Sequence, residues 1–180
     1  MSLSICNRRA TVLGILSSGC SSSIDISDCF TLSLTSNANK ELDIRDPPFP
    51  TPRQRVEFRS LTEADGSTFK YTWKHYLHSG VSTSDHFFHL MQVFSTGNGG
   101  PVVTLDARSG TAAIQDYARS CSDTRCPAIP LSSFTDRVTH HTMTVTYGPN
   151  GKLHYVVSDA GSGDTLLSYS VTGAMGKSGS

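Results

Sequence analysis

From Phe30 onward the chain changes between apolar and polar residues at every second position, the period of a strand with one face in a core and the other in solvent. Phe30-Thr31-Leu32-Ser33-Leu34-Thr35 is the first such run, and Glu41-Leu42-Asp43-Ile44-Arg45 is the second. Residues 53–59, 69–77, 87–94, 101–108, 140–147, 152–159 and 165–171 follow the same rule, while 112–117 fits a strand or a helix equally. Turn residues separate the runs: Asp65-Gly66, Gly97-Asn98-Gly99-Gly100, Ser109-Gly110 and Gly148-Pro149-Asn150-Gly151. Four prolines make residues 46–52 an extended connector. No stretch keeps a long helical period, so the pattern predicts an all-β chain, a two-sheet antiparallel sandwich or β-jelly roll.

Residues 1–28 hold neither period and are expected to form a poorly defined leader, with the β-domain over 29–180. Arg8 and Arg9 precede a short apolar patch and then small residues, an order that resembles a secretory leader and equally fits an unstructured N-terminus. At the other end, turn-like residues directly follow a strand, which reads as a domain shortened at a sheet edge.

Three consecutive runs concentrate polar groups. Arg53, Arg55, Glu57 and Arg59 share one strand face. Lys70, Thr72, Lys74 and Tyr76 lie opposite Tyr71, Trp73, His75 and Leu77. In the third run Gln92 alternates with Met91 and Val93, and by the same parity His89 falls on the Met91 side. Paired within one sheet, these runs would present a cationic, amide-bearing surface for an acidic ligand.

Composition narrows the function. Fifteen basic and fifteen acidic residues in 180 balance, so no global field draws the chain to nucleic acid or to a membrane. No apolar run reaches the about 18 residues that span a bilayer. Of the five cysteines, Cys121 and Cys126 bound a loop short enough for a local disulfide, and the spacing leaves bonded and free forms both open. The thiols lack the spacing of a zinc site. Asp106 with loop acids such as Asp85 could serve calcium, although nothing in their spacing demands it.

The order of Thr51-Pro52-Arg53-Gln54-Arg55-Val56-Glu57-Phe58-Arg59, Tyr71-Thr72-Trp73-Lys74, Phe88-His89-Leu90-Met91-Gln92-Val93 and Gly100-Pro101-Val102-Val103-Thr104-Leu105 resembles secreted fungal jelly-roll polysaccharide lyases of the glucuronan-lyase type, relatives of alginate lyases. The resemblance implies a concanavalin-like jelly roll, incomplete here, acting outside the cell as a monomer on an acidic polysaccharide by β-elimination. It implies that Arg55, Glu57 and Arg59 form the family's charged row and Gln92 its central amide. The family's late Lys-x-Gly-x-Tyr-like strand has no counterpart before Ser180.

Elimination from a uronate requires the carboxylate to be neutralised, a base for the C5 proton and an acid at the leaving O4. Gln92 as a neutral donor and Arg59 or Arg55 as bidentate cations suit the first task. Tyr76 is the acid or base candidate on the Lys74 face, and Lys74 and Arg108 would line the groove. His75 and His89 have the right chemistry, but parity sets both toward the core. The opposing readings are ion pairs on a solvated face for the charged row and a non-catalytic carbohydrate-binding jelly roll for the whole.

Overall fold

A computed structural model describes residues 9–12, 14–37, 54–81, 83, 88–96 and 99–176. The expected strand over 41–45, the proline connector, Arg53, Asp85, Phe87 and the last residues of the chain lie outside the described residues. The chain divides into two compact units, Met1–Leu61 and Thr62–Ser180.

In the first unit, β1 (Arg9–Val12) and β2 (Ile15–Ser18) are followed by β3 (Phe30–Ser33) and β4 (Val56–Arg59). β1 pairs antiparallel with β4, and β2 with β3. Residues 1–28, expected to stand outside the fold, therefore supply two strands. A disulfide between Cys20 and Cys29 closes the β2–β3 loop. Phe30 and Phe58 meet edge to face at 5.5 Å. Gly14 is required at its position, because a Cβ there would collide with the Ser33 carbonyl and the Val56 side chain.

The second unit contains, in chain order, β5 (Thr68–Tyr76), β6 (His89–Ser95), β7 (Gly100–Arg108), β8 (Thr111–Asp116), the single turn α1 (Cys121–Thr124), β9 (Ala128–Pro130), β10 (Val138–Thr146), β11 (Lys152–Asp159) and β12 (Thr165–Thr172). Two four-stranded antiparallel sheets result, ordered β12-β11-β10-β5 and β6-β7-β8-β9. Their inner faces form one core, with Trp73, Tyr155 and Tyr169 from the first sheet and Met91, Leu105 and Ile114 from the second. This is the all-β sandwich that the alternation predicts. The ambiguous run at 112–117 becomes β8, because Ser109 and Gly110 both take positive φ, 47° and 77°, and fold β8 back onto β7 as a two-residue hairpin. Cys121 and Cys126 are bonded.

Two polar networks cross this core. Asp116 Oδ2 accepts hydrogen bonds from Tyr169 Oη at 2.6 Å and Arg119 Nε at 2.7 Å, and its Oδ1 accepts from the backbone of Ala118 and Arg119. One carboxylate thus ties the end of β8 to β12. Arg119 also donates to the Ala174 carbonyl at 3.0 Å, while its Nη2 is buried without a partner among the described residues.

The second network centres on His141. The Thr139 hydroxyl donates to the His75 carbonyl at 3.0 Å, so it is left to accept from His141 Nε2–H at 2.9 Å. His141 Nδ1 then accepts from the Tyr155 hydroxyl at 2.6 Å. Every partner is satisfied by a neutral imidazole, and Trp73 stacks on that ring at 4.8 Å. Burial, then the neighbouring His75 and His140, pushes His141 well below the ordinary histidine range. His75 shares this layer; the residue is half-buried, and its Nδ1 is sealed without a partner among the described residues. Burial pulls its pKa down to about 4.

Candidate functional site

The three polar runs do not share a sheet. β4 pairs with β1 in the first unit, β5 with β10, and β6 with β7. Arg55 and Glu57 form an ion pair with each other at 3.3 Å, and Arg59 is exposed. Lys74 and Tyr76 point outward from the first sheet of the sandwich, where the Tyr76 hydroxyl donates to Asp136 Oδ1 at 3.2 Å. Gln92 and Arg108 point outward from the second sheet, on the opposite side of the core. Grouping Tyr76 and Lys74 with Gln92 and Arg108 on one surface is therefore corrected: Lys74 and Tyr76 share the outer face of the first sheet, and Gln92 and Arg108 share that of the second. The reason is topological, since β5 and β6 follow one another in the chain but join different sheets.

On the outer face of the second sheet the register assembles a polar floor. Along β7, Val103, Leu105 and Ala107 enter the core, leaving Thr104, Asp106 and Arg108 on the outer side. Along β8, Gln115 stands beside Thr104, and Tyr117, just past the strand, is held by its N–H to the Val102 carbonyl at 2.9 Å. From β6, Gln92 pairs with Thr104 across the sheet. The row Gln92–Thr104–Gln115 thus lies beside the row containing Asp106, about 7 Å away by strand geometry.

His89 joins this floor, contrary to the parity expectation. Its register partner is Asp106 while that of Met91 is Leu105, so the pairing slips between the two and His89 and Met91 face opposite ways. The slip is a β-bulge at Leu90. His89 Nδ1 is 2.5 Å from Asp106 Oδ1, and Asp106 is almost wholly buried. A carboxylate on Nδ1 makes that nitrogen the donor, which leaves Nε2 of the neutral ring as the basic atom. The Thr104 hydroxyl is fully buried and lies near the Tyr117 phenol without a well-formed hydrogen bond to it. Burial, and then the Asp106 charge, raises Tyr117 above the ordinary phenol range. It stays protonated at neutral pH and can give a proton.

His75, the other histidine weighed as a base, faces the core of the first sheet with Trp73, as parity predicts. Among the described residues no group of three or more His, Cys, Asp or Glu side chains is placed to hold a metal ion. Asp106, a calcium candidate in the sequence, is engaged by His89, and its suggested companion Asp85 lies outside the described residues. Among the described residues no helix is long and apolar enough to cross a membrane.

Comparison with protein-family models, with curated proteins and with solved structures finds no match. Fold and side-chain placement therefore carry the functional argument alone. They define an antiparallel β-sandwich with a carboxylate-oriented histidine, two amides, a phenol and a guanidinium on one outer sheet face.

Proposed function

We propose that the sandwich is a polysaccharide lyase that cleaves a uronic-acid polymer by β-elimination outside the cell. The observation that carries this reading is the His89–Asp106 pair on the same face as Gln92, Arg108 and Tyr117. His89 Nε2 removes the C5 proton of the uronate. The electron pair forms the C4=C5 double bond, the C4–O4 bond breaks, and Tyr117 delivers a proton to the leaving O4. Gln92 donates to the uronate carboxylate, and Arg108 neutralises its charge, which makes the C5 proton acidic enough to leave. Asp106 acts through His89 as a positioning residue, fixing the tautomer that exposes a basic Nε2. Arg55, Glu57 and Arg59, in the first unit, have no step in this scheme. The two disulfides are compatible with an oxidising, extracellular setting.

Incubation of the folded chain with glucuronan or alginate is expected to release unsaturated ends that absorb in the ultraviolet. His89→Ala is expected to lower kcat by about 10²–10⁴-fold, the usual contribution of a positioned base. Asp106→Asn should shift the pH profile of the remaining activity. Folded protein that produces no absorbance from any of several polyuronates, or an H89A variant with full activity, would overturn the scheme. Retention on a polyuronate column without turnover would leave a binding protein in its place.

A further inference from the structure

The outer face of the first sheet is of a different kind. Reading across β5, β10, β11 and β12, its outward positions form the rows Lys74–His140–Ser158, Thr72–Thr142–Val156–Ser168, Lys70–Thr144–His154–Ser170 and Thr68–Thr146–Lys152–Thr172. Within these rows every side chain but Val156 is an ammonium, an imidazole or a hydroxyl, and none is a carboxylate. Lys70, Lys74 and Lys152 are all exposed, and they are the only lysines among the described residues. Such segregation does not follow from composition, because the whole chain is neutral.

The carboxylates near this face sit at the ends of the strands, and two of them, Asp159 and Asp136, are already engaged. Asp159 accepts from Arg137 at 3.0 Å and from the backbone of Gly161 and Ser162, and Asp136 accepts from Tyr76 and the Ser79 N–H. Some hydroxyls and one imidazole are ordered by their neighbours: Thr68 and Thr146 are 2.8 Å apart, and His154 Nδ1 is 2.7 Å from Ser170 Oγ. Shallow hollows occur beside Lys74 and His140 and beside Lys152 and His154.

We infer that this hydroxyl-lined cationic sheet face is a docking surface for an anionic polysaccharide, separate from the floor that carries His89. The occupant follows from charge and shape. Lys70 and Lys74 stand about 14 Å apart along β5, and neighbouring strands are about 4.8 Å apart, so point charges are spread over a flat area instead of clustered at one anion. Thr and Ser hydroxyls between them match sugar hydroxyls, which both donate and accept. The rows hold no Phe, Tyr or Trp ring on which a nucleic-acid base could stack and no arginine fork for phosphate, and Tyr76, further along the same face, has its hydroxyl tied to Asp136. This inference is independent of catalysis, because the two faces lie on opposite sides of the core.

The test uses the full chain carrying His89→Ala and Gln92→Ala, so that the probe is not consumed and the other face is disabled. Affinity electrophoresis in gels containing polyglucuronate should show strong retardation at about 20 mM salt that largely disappears by about 200 mM. Replacing Lys70, Lys74 and Lys152 together by Thr, a good strand former, should weaken binding at least about tenfold. Replacing all three by Arg should restore it. Neutral dextran should not retard the protein. If the triple Thr variant fails to fold, the three single Lys→Thr variants should each lose part of the retardation. Undiminished binding in the Thr variants, insensitivity to salt, or equal binding of dextran would overturn the inference. Tighter binding of duplex DNA than of polyglucuronate through the same lysines would overturn it in favour of a nucleic-acid surface.

Discussion

Lowering the pH from 7 to 4 is expected to cost the sandwich about 3 kcal/mol of unfolding free energy through His75 alone. In the folded state burial holds its pKa at about 4, against 6.5 in the unfolded chain. The unfolded state therefore binds more protons between those values. The stabilising effect is complete above about pH 6.5 and is lost as the pH falls toward 4. His141 acts in the same direction, because its network with Thr139 and Tyr155 has a place only for the neutral ring. Urea unfolding at a series of pH values measures this slope.

His75→Leu isolates the effect. The change removes a sealed, unpartnered Nδ1 and puts an apolar side chain of fitting size beside Trp73 and Phe134, so stability at pH 7 should change by less than about 1.5 kcal/mol. Between pH 6.5 and 4 the slope should become markedly shallower. A variant with the full wild-type slope would show that the acid sensitivity lies elsewhere.

The second large effect belongs to Asp116. Asp116→Ala is expected to destabilise the sandwich by about 3–5 kcal/mol, since it leaves the Arg119 guanidinium partly buried with no counter-charge and the Tyr169 hydroxyl without its acceptor. Asp116→Asn keeps the shape and part of the hydrogen bonding, so it should cost less. Thermal unfolding reads both changes, and the Ala variant is expected to melt at least about 10 °C lower. An Asp116→Ala melting point within a few degrees of wild type would show that the carboxylate merely fills space.

The strands of the sandwich were legible because their alternation is strict: Leu153, Tyr155 and Val157 enter the core while Lys152, His154 and Val156 face out, as a period of two requires. The hairpins were legible because Gly148 and Gly110 mark positive-φ turns. What sequence reasoning could not supply was sheet membership. Neighbouring runs such as 69–77 and 87–94 look alike in pattern, and only long-range pairing sends one to β10 and the other to β7. β1 and β2 were missed because short, mixed strands carry no sustained period, and the Cys20–Cys29 link that closes their loop has no recognisable spacing.

The candidate site was half visible. Gln92 stood out as an amide within an apolar run, and Arg108 as a cation on the outer side of its strand. Asp106 is present in the alternation of Thr104, Asp106 and Arg108, but from the sequence it suggests only a possible metal ligand. Strict alternation places His89 on the wrong side, because a bulge has no dependable signature in one sequence. The orienting carboxylate and its histidine therefore emerged only with the register.

That irregularity at Leu90 has an implication for how such a surface arises and is lost. Leu90 is the extra residue, so deleting it would restore unbroken alternation to β6 and still leave the imidazole outside, because His89 would directly precede the inward-facing Met91 and keep its place opposite Asp106. What would silence the exterior face is a shift that pairs Leu90 in regular register, since that turns the imidazole into the hydrocarbon interior and takes it from Asp106. Chains one residue shorter at this point would therefore keep the histidine and its carboxylate together, and the extra residue is a tolerated insertion and not a requirement of the exterior face.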